Sequence, residues 1–85
     1  MNAKCFIDLF DSIAFRGERR RIYGPARLEA RMLGLDRDAK VSVRVGGKAA
    51  LRIARVGGSD TTLGQGEAIE KLDAGGIQWL EVQAS

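Results

Sequence analysis

The chain has 85 residues, 45% of them apolar and 29% charged, with a net charge of +3, one cysteine, one proline and no histidine. That length makes one small domain burying roughly 60–65% of its unfolded surface, a thin core that oligomerisation would reinforce. The composition excludes a disordered chain, and the missing histidine excludes Ser-His-Asp and Cys-His catalysis and, with a lone cysteine, the usual zinc sites.

Charge is distributed unevenly along the chain. The span from Arg16 to Arg55 carries twelve Lys/Arg against four Asp/Glu, about +8, whereas everything from Val56 onward sums to about −4. Either the basic span meets a polyanion such as nucleic acid, or the two ends complement one another within the fold or between subunits.

The first candidate element is Cys5 to Leu9, an edge strand or part of an apolar arm running from Met1 to Phe15. Phe6, Ile7, Leu9, Phe10, Ile13 and Phe15 offer more apolar surface than one edge strand hides. Asp8 and Asp11 interrupt this run, which argues against a signal peptide, and no apolar stretch approaches the roughly 20 residues of a membrane span. Cys5 has no partner base nearby and is expected as a small buried hydrophobe. A reducing compartment suits a lone thiol, although a virion or secreted protein needing no disulfide would look the same. The expected organisation is therefore an arm or edge strand over residues 1–15 and a single β domain over 16–85.

Ser12 to Arg16 and Arg19 to Tyr23 flank Gly17-Glu18 as a candidate hairpin. Within it, Arg19-Arg20-Arg21, with Arg16 before and Tyr23 after, is the most specific functional candidate. Guanidinium forks suit phosphate or carboxylate, and Tyr23 offers a stacking surface. Three consecutive arginines in a strand cannot all face outward, so at least one points to the other face or lies at a rim. The bland alternative makes these arginines solvated charges that pair with the acidic end.

Gly24-Pro25 marks a turn, and the alternation of Ala26 to Met32 predicts a strand over its whole length. A short helix is the rival, since Ala, Arg, Leu, Glu and Met are good helix formers. Gly34 to Asp38 reads as a turn. Asp36 and Asp38 are spaced like the start of a calcium loop, but the pattern does not continue, and they are taken here as turn residues.

Two near-copies follow, Val43-Arg44-Val45-Gly46-Gly47-Lys48 and Ala54-Arg55-Val56-Gly57-Gly58-Ser59. Alternation places Val41, Val43 and Val45 on one face and Lys40, Ser42 and Arg44 on the other. A three-residue connection Gly46-Gly47-Lys48 would close a hairpin with Val43 opposite Leu51 and Val41 opposite Ile53, leaving Arg44 and Arg52 together on the wet face. The register would then need a bulge near Ala54, or the strand ends there. The glycine-rich run Gly57 to Gly66 lacks the Gly-Lys-Ser/Thr ending of a phosphate-binding loop and reads as an ordinary loop. Glu67 to Leu72 and Ile77 to Val82 form a last hairpin candidate around Asp73-Ala74-Gly75-Gly76, with Trp79 as its core anchor.

Many short strands, glycine-rich turns and no long amphipathic helix predict an all-β fold, a small antiparallel β-sandwich or barrel built of short hairpins. The layout Ile22 to Arg31, then Val41 to Gly47, Gly66 to Glu70 and Gly76 to Val82 resembles small β-rich virion proteins of tailed bacteriophages. These include capsid decoration (cement) proteins and tail or fibre-attachment modules. The resemblance implies a non-enzymatic structural or assembly protein in a virion or the host cytoplasm, acting by surface burial without a cofactor or metal. Its expected partners are protein subunits, in a homo-oligomer or larger assembly, and not a membrane. The expected partner-binding residues are Phe6, Phe10, Phe15, Arg16, Arg19, Arg20, Arg21, Arg44 and Arg52. The alternatives are a nucleic-acid-binding module built on the Arg16–Arg21 cluster, tested by the salt dependence of binding, and a small phage-encoded inhibitor of a host protein.

Overall fold

The computed structural model describes residues 4–84, which form eight strands in two four-stranded antiparallel sheets packed face to face. The strands are β1 (Cys5–Phe10), β2 (Arg19–Tyr23), β3 (Ala26–Glu29), β4 (Lys40–Gly47), β5 (Ala49–Arg55), β6 (Thr61–Leu63), β7 (Ala68–Asp73) and β8 (Ile77–Ala84). One helical turn, α1 (Ala30–Leu33), follows β3, and a 3₁₀ turn (Ala74–Gly76) joins β7 to β8. The strand orders are β2-β1-β4-β7 in the first sheet and β3-β8-β5-β6 in the second. Each half of the chain therefore lends its third strand to the opposite sheet. The two halves are related strand for strand, with β1 equivalent to β5, β2 to β6, β3 to β7 and β4 to β8.

The all-β sandwich expected from the sequence is the observed architecture. Its core is the set of inward positions that period-two alternation specifies. Cys5, Ile7, Leu9, Val41, Val43 and Val45 of the first sheet meet Ala49, Leu51, Ile53, Leu80 and Val82 of the second, all buried. Each large aliphatic side chain buried in this way contributes about 1.5–3 kcal/mol.

Several connections differ from the expectations, and for one reason. The strands β4 and β5 are not a hairpin: Val43 pairs with Leu9 and Ile69, while Leu51 pairs with Leu63 and Val82. Gly46-Gly47-Lys48 instead turns the corner from one sheet to the other, so the valines face Leu51 and Ile53 across the core. The 3₁₀ turn does the same between β7 and β8, which lie in opposite sheets. Alternation reports which residues face inward but not which sheet a strand joins, and in a sandwich both sheets face the same core. The second glycine pair does close a hairpin, between β5 and β6.

β1 is an interior strand with partners on both sides, not an arm or edge strand. Three buried side chains on one face and a phenylalanine-rich outer face make it one of the most apolar strands, and apolar strands favour the centre of a sheet. Residues 1–3 of the expected arm lie outside the described residues. The segment expected as one strand or one helix over Ala26 to Met32 is both, with strand to Glu29 and then a single helical turn ended by Gly34 at φ 65°. The expected turn at Gly34 to Asp38 is present: Asp36 accepts the Ala39 N–H through its carbonyl and the Asp38 N–H through Oδ1. The β5–β8 register shifts between Ala54 and Arg55, where a bulge was expected, but the extra residue is Gln78 on β8.

Candidate functional site: an aromatic and arginine-rich sheet face

Burying Cys5, Ile7 and Leu9 turns Phe6, Asp8 and Phe10 outward on β1. Cross-strand pairing then fixes their neighbours. Tyr23 lies opposite Phe6, Arg21 and Arg44 flank Asp8 on either side, and Arg19 lies opposite Phe10. Six of the nine residues expected at the partner-binding surface, Phe6, Phe10, Phe15, Arg19, Arg21 and Arg44, thus share the outer face of the first sheet.

The Phe6 and Tyr23 rings lie 6.0 Å apart, and the Arg21 guanidinium sits 4.1 Å from the centre of the Phe6 ring. Arg21 grips Asp8 with both ends of its fork, Nε to Oδ1 at 2.8 Å and Nη2 to Oδ2 at 3.2 Å. That two-pronged bond raises the Arg21 pKa above its ordinary value. On the other side of Asp8, Arg44 lies 4.4 Å from the Phe15 ring, and Phe15 meets Phe10 edge-on at 5.8 Å. Rings and guanidinium groups therefore alternate across the sheet, a geometry in which each cation rests on a π face. Gly46 makes room for this arrangement, because a Cβ there would occupy the space of the Phe6 ring.

Phe15 reaches the face because the eight-residue loop between β1 and β2 folds back over the sheet. Ser42, fully buried on an otherwise outward position of β4, holds it there. Its hydroxyl donates to the Ser12 carbonyl at 2.7 Å and accepts the Phe15 N–H at 2.9 Å. The Ala14 N–H donates to the Glu70 carbonyl of β7 at 2.9 Å. Ala14 and Phe15 both adopt positive φ, 57° and 59°, a conformation that costs a side-chain-bearing residue roughly 1–2 kcal/mol and persists only where contacts fix it.

The remaining expected site residues are elsewhere. Arg20 points to the rim, where Nη1 donates to the Leu33 and Met32 carbonyls and caps α1, so the triple arginine does divide between faces as its run requires. Arg16 is exposed in the loop. Arg52 lies on the outer face of the second sheet, bonded to Asp60 at 2.7 Å, so it does not share a wet face with Arg44. Trp79 is on that outer face too, half-buried between Arg27 at 4.0 Å and Arg52 at 5.6 Å, and is no core anchor. β8 alternates with Leu80 and Val82 inward, which turns Trp79 outward. Sequence reasoning missed Asp8 as the pivot of the site. The signal was present, since an acid between two outward phenylalanines must lie on their face.

No family model matches the chain, and no curated protein does. A solved structure described as "Evolution of the eye lens beta-gamma-crystallin domain fold" is similar to it with a TM-score of 0.75 and 21% identity, covering 99% of this chain and 90% of that one. At that identity the likeness concerns the backbone arrangement alone. The chain folds as a beta-gamma-crystallin domain does, with two four-stranded antiparallel sheets.

Proposed function

We propose that this protein is a non-enzymatic binding and assembly module whose outer first-sheet face docks on protein subunits. The observation that supports this reading is the gathering of Phe6, Phe10, Phe15 and Tyr23 with Arg19, Arg21 and Arg44 on one solvent-facing surface. Aromatic residues and arginine are the types enriched in protein interfaces and their energetic centres. A protein partner is favoured over nucleic acid because three of the six expected arginines are committed, Arg21 to Asp8 at the centre of the face and, away from it, Arg20 to α1 and Arg52 to Asp60. A polyanion site needs free cations along a track. The virion setting implied by the sequence resemblance belongs to the same proposal, with neighbouring subunits as the partners.

Light scattering coupled to size exclusion over a wide concentration range tests it. The expected result is self-association or association with a subunit partner, weakened by Tyr23→Ala and by Arg19→Glu, both exposed substitutions that leave the core intact. A monomer at all concentrations that binds short DNA with steep salt dependence would replace this reading with the nucleic-acid one.

A further inference from the structure

A second surface, unconnected with the sheet face above, lies at one end of the sandwich. There α1, the loop before β4, and the 3₁₀ turn surround a cavity of about 410 Å³. Its floor is the end of the hydrophobic core itself: Leu33, Ala74 and Ile77 are buried core members, and Leu35 packs against them. That volume falls within the roughly 300–1,000 Å³ of small-ligand sites.

The walls are fixed. The Ala74 N–H donates to the Ala39 carbonyl at 3.0 Å, and Gly75 lies so close to the backbone of Arg37 that an added Cβ would stand 2.6 Å from the Arg37 carbonyl oxygen. Charge at the mouth is one-sided. Arg31 and Arg37 both line the cavity, and no carboxylate does. Arg31 is shared with Glu29 at 2.8 Å, but among the described residues no acid lies within ion-pair distance of Arg37. Its neighbour Asp36 is turned into the loop, where it accepts the Asp38 N–H.

We propose that this cavity binds a small amphipathic carboxylate, its apolar body on Leu33, Leu35, Ala74 and Ile77 and its carboxylate on the guanidinium of Arg37. An apolar floor calls for a hydrocarbon body, and Arg37, a lining arginine with no ion-pair partner among the described residues, calls for a planar monoanion. The ligand is bound without chemical change, and the site is independent of the assembly face.

Titration of the full ¹⁵N-labelled chain with sodium octanoate, and separately with 1-octanol, tests the proposal. Octanoate is expected to give saturable amide shifts confined to the 30–37 and 74–78 segments and the surroundings of Val56, and to bind more tightly than the neutral alcohol. Arg37→Gln, at an exposed side chain, should weaken octanoate roughly tenfold, the size of one charge-assisted bond, and leave octanol unchanged. Val56→Asp, at a rim residue that is 64% exposed, should weaken octanoate by placing a like charge at the mouth. Shifts that never saturate, shifts scattered over the surface, or equal octanoate affinity in wild type and Arg37→Gln would overturn it.

Discussion

Ser42 shows how one hydroxyl shapes a surface. On the outward side of β4 it would be solvated, yet it is wholly buried beneath the β1–β2 loop and satisfies one donor and one acceptor there. Ser42→Ala leaves the Phe15 N–H and the Ser12 carbonyl without that partner, at a cost of about 1–3 kcal/mol. Urea denaturation should show this loss, and the aromatic proton shifts of Phe15 should move as its ring leaves Arg44. Trp79 makes the opposite point, a large apolar side chain stationed outside the core between two arginines. Trp79→Ala is therefore expected to cost less than Leu80→Ala, which empties a core position at about 2–5 kcal/mol. Reversal of that order in thermal melts would contradict the placement. The Lys40–Asp73 pair, at 2.6 Å, sets a pH dependence. The hydrogen bond from Lys40 lowers the Asp73 pKa. The stability it adds is present above the unfolded aspartate pKa, about 3.9, and is lost as pH falls through the lower folded value. A carboxyl NMR titration should place the Asp73 midpoint below the ordinary range, and Lys40→Met should return it there.

At the level of elements, the two Val-Gly-Gly phrases do different work. Their near-identity suggests repeated hairpins, but the first follows β4, which is equivalent to β8, and the second follows β5, which is equivalent to β1, so the phrases are not matching positions of the two halves. Gly46-Gly47 makes a corner between sheets, and Gly57-Gly58 closes a hairpin within one. Gly47 has φ 58°, and a Cβ there would collide with the Lys4 carbonyl, so Gly47→Ala should cost at least about 1–2 kcal/mol, read as a lowered urea midpoint. Strand existence was legible for most of the sandwich, because inward Val41, Val43, Val45, Leu51 and Ile53 alternate without error. The short β6, however, lies inside the Gly57 to Gly66 run expected as a loop, and Ser12 to Arg16, expected as a strand, belongs to the β1–β2 loop. Strand pairing was not legible. Glycine permits both a tight hairpin and a sheet-to-sheet corner, and the choice depends on which distant strands complete each sheet.

Over the whole molecule, the charge asymmetry is partly dissipated by folding. Lys40 pairs with Asp73 and Arg52 with Asp60, each joining the basic span to the acidic end. The related halves also carry inverted central pairs: Asp8 faces Arg44 in the first sheet, and Arg52 faces Glu81 in the second. What remains on the first sheet is aromatic and cationic, and that remainder is the surface assigned to assembly. Two of its seven members, Phe6 and Phe10, came from alternation on β1 alone. The rest needed the loop to fold back and β2 to pair with β1, as Phe15 and Tyr23 show.

The residues themselves decided that strands dominate and which aliphatic side chains of β1, β4 and β5 are buried, although not that Trp79 lies outside the core or that Ser42 is covered. Those properties are local, set by a period of two and by the transfer of each side chain from water. Only the tertiary structure decided that β1 is interior, that β4 and β5 part to opposite sheets, and that Arg44 and Arg52 end on opposite outer faces. These are outcomes of pairing between strands far apart in the chain, where different sheet partners bury the same side chains and alternation cannot choose among them.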